Sequence, residues 1–125
     1  MKKEFLAKAE QNLRAAELLF ENGLYDASAN RSYYAALHAA VAALSGAGIK
    51  TERISHDTTQ SNFSAKLIRK RKIYPGRLKS YLSDLQRVRD HADYKVKSVS
   101  KKVASRQLNK AKEFVTKIIQ EVGNV

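Results

Sequence analysis

The chain has no cysteine and no tryptophan, one proline, five glycines, and half as many acidic as basic residues, 12 against 24. Without cysteine there can be no disulfide, no thiolate metal site and no cysteine nucleophile, and a reducing, cytoplasmic setting is expected. The three histidines stand far apart at positions 38, 56 and 91. With no histidine or carboxylate set at one-turn spacing on a single face, neither a metal site nor a cofactor is expected. No glycine-rich loop follows a strand, which removes P-loop and dinucleotide-binding folds. No apolar run is long enough for a membrane span or shaped like a signal sequence, so no membrane association is expected.

Helix breakers are few and grouped. Pro75 and the glycines at 23, 46, 48, 76 and 123 cut the 125 residues into helical segments, and no long alternating stretch argues for strands. The expectation is a single all-α domain over residues 1–125, an up-and-down helical bundle of about five helices.

The first segment, about Lys3 to Asn22, carries Leu6, Ala9, Leu13, Ala16 and Phe20 on one stripe, with Gly23 as its stop. Asp26 reads as the N-cap of the second, about Ala27 to Leu44. That segment is rich in alanine and apolar around most of its circumference, so it should be the central helix, ended by Gly46 and Gly48. Asn30, Arg31 and His38 are its polar intruders, and His38 reads either as a satisfied core histidine or as a ligand contact. A third segment, about Thr58 to Lys70, is capped by Ser55 or Asp57 and carries Phe63, Leu67 and Ile68. The fourth opens near Pro75, ends near Tyr94, and buries Leu78, Tyr81, Leu82, Leu85, Val88 and Ala92. The last, about Lys101 to Val122, is capped by Ser98 or Ser100, striped from Ala104 to Val122, and stopped by Gly123.

The net charge of +12 favours a polyanion or an acidic protein as partner. Arg69, Lys70, Arg71, Lys72 and Arg77 surround Tyr74, and such a run can grip a phosphate backbone and stack a base; it can also be a solvated loop.

The densest gathering of reactive groups is Arg87-Val88-Arg89-Asp90-His91-Ala92-Asp93-Tyr94. Arg89 falls inside the apolar arc of its helix, should be largely buried, and has Asp93 one turn on as a structural partner. Arg87, His91 and Tyr94 fall on the other side. A histidine can take a proton from a ribose 2′-hydroxyl and an arginine can hold the phosphate, so Arg87 and His91, with Tyr94 positioning substrate, form a candidate catalytic set for metal-free RNA cleavage.

Three stretches together carry a family likeness. Ala9-Glu10 through Leu24-Tyr25-Asp26-Ala27-Ser28 looks like an opening helix and its link, Arg31-Ser32-Tyr33-Tyr34-Ala35-Ala36-Leu37-His38-Ala39-Ala40 is similar to a "YYAxFHAA" helix, and Arg89-Asp90-His91-Ala92-Asp93-Tyr94 matches an "R-x-x-ADY" ending. In order and spacing they resemble the HEPN domains, small all-helical prokaryotic proteins. His56, ahead of Phe63, sits where many members have a histidine. The resemblance implies a bundle that dimerises and works with RNA or nucleotides, often as a toxin–antitoxin pair with a small nucleotidyltransferase. It adds Arg31, Tyr34 and His38 to Arg69, Lys70, Arg71, Lys72 and Arg77 as nucleotide- or RNA-binding candidates. The family's nuclease signature is an arginine and a histidine with four to six residues between them; here only three residues lie between Arg87 and His91, which still share a helix face. The leading reading is an RNA- or nucleotide-binding HEPN homodimer. The alternatives are a metal-independent endoribonuclease toxin using Arg87 and His91, and a protein-interaction module.

Overall fold

The computed structural model describes residues 2–49 and 56–122. Every regular element among them is helical: α1 (Lys2–Glu21), α2 (Tyr25–Gly46), α3 (His56–Asn62) continued by a π-helical segment (Phe63–Lys70), α4 (Arg77–Tyr94) and α5 (Lys101–Val122). This is the expected all-α bundle, with α2 at its centre, packed against α1, α3, α4 and α5. The centre is built from small residues: Ala35, Ala36, Ala39 and Ala40 are fully buried, and their size lets the neighbouring helix backbones close in. Ser28 Oγ donates to the Ala16 carbonyl at 2.8 Å, pinning α2 to α1 inside the core.

Two glycines stop helices by the same device. Gly23 (φ +76°) and Gly48 (φ +78°) take the left-handed conformation. After each, the chain closes with a paired hydrogen bond, Leu24 to Leu19 O and Ile49 to Leu44 O, both at 2.9 Å. Gly46, expected to share the stop after α2, stays helical. A Cβ there would come within 3.2 Å of Lys2 Cδ and Val122 Cγ1, so it permits close approach where the N-terminus of α1 meets the C-terminus of α5.

Several local expectations are corrected. Asp26 does not cap α2, which begins one residue earlier without a side-chain cap. Its Oδ1 instead accepts the Val99 N–H at 2.7 Å and fastens the link between α4 and α5 onto α2. Ser100, rather than Ser98, caps α5, its Oγ accepting the Val103 N–H at 3.1 Å. Asp57 lies within the first turn of α3, while Ser55 and Gly123 lie outside the described residues. The helical third segment changes pitch at Phe63, a switch that the apolar spacing does not announce. Tyr74 is only 5 % exposed. Its ring sits 5.3 Å from that of Phe63, which in turn lies 5.3 Å from Phe114. Tyr74 is therefore a core residue and cannot stack a base. A smaller apolar cluster, Ala29, Val88, Val99 and Ala104, closes the region where α4 leads into α5.

Candidate functional site

The second helix places Tyr33 and Tyr34 on adjacent faces, one buried and one half-buried. Their rings meet edge to face at 5.2 Å. Nitrogen groups from three helices converge on Tyr34. The Arg31 guanidinium lies 4.9 Å from its ring centre and that of Arg89 5.6 Å. The ring of His56 is 5.9 Å away and that of His38 6.2 Å. Arg89 is also 5.2 Å from Tyr33, and His56 is 5.3 Å from it. Cations near aromatic faces gain about 0.5–2 kcal/mol each, more where water is excluded.

Arg89 is largely buried, as the apolar arc of α4 requires, with its side chain 11 % exposed. Its closest carboxylate is Asp90, at 2.8 Å, with the expected Asp93 second at 3.5 Å. Asp93 also accepts two hydrogen bonds at 3.1 Å from Asn30 Nδ2. Asn30 Oδ1 accepts from Arg31 Nε at 2.8 Å, Arg31 donates to Asn12 Oδ1 at 3.0 Å, and Asn12 Nδ2 lies 3.0 Å from His38 Nδ1. One polar chain thus runs from His38 through Asn12, Arg31, Asn30 and Asp93 to Arg89, joining α1, α2 and α4 around Tyr34.

Burial lowers the pKa of His38, and the charges of Lys8 and Arg31 lower it further. Burial and Arg89 likewise lower that of His56, against the opposing pull of Asp90 and Asp57. Both imidazoles are therefore neutral at pH 7, able to accept a hydrogen bond or a proton. Burial drives the Tyr33 hydroxyl up to about 12, so it stays protonated. Aromatic faces, guanidinium groups and neutral imidazoles in one half-buried cluster can stack a base, hold a phosphate and move a proton.

Arg87 and His91 lie on a different side of α4. They line one pocket of about 390 Å³ together with Lys97, Ser98, Val99 and Ser100. Each already has a partner. His91 Nε2 lies 3.1 Å from the Lys97 carbonyl. Arg87 is paired with Asp84, which also accepts from Lys110 at 2.5 Å and Gln107 at 3.1 Å. Burial alone would raise the Asp84 carboxyl, yet the hydrogen bonds from Lys110, Gln107 and Arg87 hold it down at about 2. Tyr94 is 76 % exposed and does not line the pocket. The structure therefore brings Arg87 and His91 together and leaves Tyr94 apart.

The basic run is also divided. Arg69 to Lys72 are exposed at the far end of the third helix, roughly 20 Å along the chain axis from His56. Arg71 donates to the Ala47 carbonyl at 3.1 Å, and Lys72 takes a positive φ of 54°. Arg77 is held by Glu113 on α5 at 2.5 Å, and Tyr81 donates to the same carboxylate at 3.2 Å. Of the binding candidates, Arg31, Tyr34 and His38 form one group and Arg69, Lys70, Arg71 and Lys72 another. Sequence reasoning left Asn12, Tyr33 and Asp90 out of the site and gave His56 no role. The sequence carried a signal for three of them: Tyr33 lies in the "YYAxFHAA"-like stretch, Asp90 in the "R-x-x-ADY"-like one, and His56 stands ahead of Phe63, while no such motif singles out Asn12.

Among the described residues, no group of three or more histidine and acidic side chains could hold a metal ion, and no helix is long and apolar enough to cross a membrane. A family model described as the HEPN domain matches residues 3–122. The chain is also 34 % identical over 91 residues to a UPF0332 protein of Gloeobacter violaceus, covering 73 % of this chain and 70 % of that protein.

Proposed function

The chain belongs to the HEPN domain family, and from that premise we propose that it binds RNA or a nucleotide at the cluster centred on Tyr34. One observation carries the reading: a half-buried aromatic ring has two guanidinium groups and two imidazoles within 6.2 Å of its centre. In this reading a base stacks on Tyr34, Arg31 meets a phosphate, Arg89 stays paired with Asp90 and Asp93 and fixes the ring from behind, and the neutral His38 and His56 accept hydrogen bonds. The net charge of +12 draws the polyanion in. The chain acts as a homodimer in the cytoplasm, with a small nucleotidyltransferase as partner in a toxin–antitoxin pair, a reading that rests on the family likeness. The test is an anisotropy titration with labelled single-stranded RNA at low salt. The wild type binds, and Tyr34→Ala loses about 1–3 kcal/mol of stacking. Absence of binding by the wild type even at low salt, where phosphate contacts are strongest, overturns the reading.

A second reading is favoured by the pocket that Arg87 and His91 share. It makes the protein a metal-independent endoribonuclease, with His91 as the base and Arg87 released from Asp84 to hold the phosphate. Incubation with an RNA pool in EDTA tests it: cleavage by the wild type and none by His91→Ala supports it, and cleavage that survives His91→Ala rejects it.

A further inference from the structure

Past the Tyr34 cluster, α3, its π-helical continuation and α4 enclose a second cavity of about 340 Å³. Arg69 and Lys79 line it, and so do Ser61, Ser64 and Ser83. Asp57 is the one acidic residue of its lining, so the charge there is net positive. Arg77, Arg87, Arg89 and Lys110 all sit in ion pairs. Arg69 and Lys79 have none among the described residues, and a cation facing a cavity without a counter-charge favours an anion there. Ser64 provides a separate indication. It is 7 % exposed, and its buried hydroxyl has no hydrogen-bond partner. A helical serine commonly donates to the carbonyl one turn back; Ser64, where the helix widens into the π turn, finds none. Leaving a buried hydroxyl unpaired costs about 1–3 kcal/mol, which a bound acceptor would recover.

The α3 and α4 helices that line the cavity also supply His56 and Arg89 to the Tyr34 cluster. The Gln60 and Gln86 side chains are hydrogen-bonded to each other between α3 and α4. Gln60 lines the cavity and sits one turn after His56, while Gln86 lies between Ser83 and Arg89. From Lys79 to Arg89 along α4 is about 15 Å, more than one nucleotide spans.

We propose that this cavity is a phosphate site for the backbone of a single-stranded RNA whose base sits at the Tyr34 cluster, so that the ligand is an oligonucleotide rather than a mononucleotide. The inference rests on the RNA-binding reading above and adds a second point of attachment. It is tested by comparing uridine 5′-monophosphate with 5′-phosphorylated tetrauridylate on the wild type, on Arg69→Ala/Lys79→Ala and on Ser64→Ala. Arg69 and Lys79 are exposed, so the double variant keeps its helical circular dichroism. The wild type should bind the tetranucleotide more tightly than the monophosphate. The double variant should weaken the tetranucleotide about tenfold or more and lower its salt slope by about 0.7 for each phosphate no longer neutralised, while leaving the monophosphate unchanged. Ser64→Ala should weaken only the tetranucleotide. A tetranucleotide that binds no better than the monophosphate, or a double variant that weakens both alike or neither, overturns the second site and leaves the Tyr34 cluster standing. If neither ligand binds the wild type, the Tyr34 reading itself fails and takes this inference with it.

Discussion

Arg89 shows how much a single position can disclose. Its place within the apolar stripe of α4 already demanded burial and a partner, and the structure gives it Asp90, Asp93 and two tyrosine rings. Arg89→Ala strands two carboxylates and should cost about 1–3 kcal/mol of stability by denaturant melt. Arg89→Lys should recover only part, because an ammonium cannot form the planar fork. His38 and His56 make a separate prediction. Both have folded pKa values below the ordinary 6.5, so the unfolded chain takes up protons first. Their contribution to stability is therefore present above pH 6.5 and is lost as the pH falls from there through the folded values, which thermal melts on either side of that pH will register. What the sequence could not disclose at this scale was partnership across helices. Nothing in local spacing links Asn12 on α1 to Arg31 and His38 on α2, whereas the Asp84–Arg87 pair, three residues apart on α4, is legible in spacing alone.

The stripes of α1, α2, α4 and α5 were legible because a 3.6-residue period must match a buried face. The alanine run of α2 predicted its central place for the same reason, and the fully buried Ala39 confirms it. Ala39→Leu should overpack that position and lower stability by about 1–3 kcal/mol, read as a lower Tm. Less legible were features in which two local solutions compete. Asp26 has the chemistry of an N-cap, but the Val99 N–H claims its carboxylate. Tyr74 sits among basic residues that suggest a nucleic-acid platform, yet its ring completes the Phe63–Phe114 stack in the core. The π turn at Phe63–Lys70 leaves the apolar residues on one face, so the pattern reads as an ordinary helix.

For the whole molecule, the surplus of twelve positive charges gives a long-range pull on polyanions, and the fold sorts those charges. Arg77 is paired with Glu113, and Arg87 and Lys110 share Asp84, while among the described residues Arg31, hydrogen-bonded to neutral Asn12 and Asn30, and Arg69, beside the cavity, have no carboxylate partner. RNA affinity should therefore fall steeply with salt. The central claim is that the ligand sits at Tyr34 and not in the Arg87–His91 pocket, and the three histidines report on this within one molecule. The decisive measurement is an NMR pH titration of the histidine ring signals with and without single-stranded RNA. A phosphate beside His38 and His56 stabilises their imidazolium forms. With the ligand at Tyr34, RNA raises both pKa values and leaves the His91 signal in place. RNA that moves His91 while His38 and His56 titrate unchanged would contradict the claim and locate the ligand on the opposite face of α4.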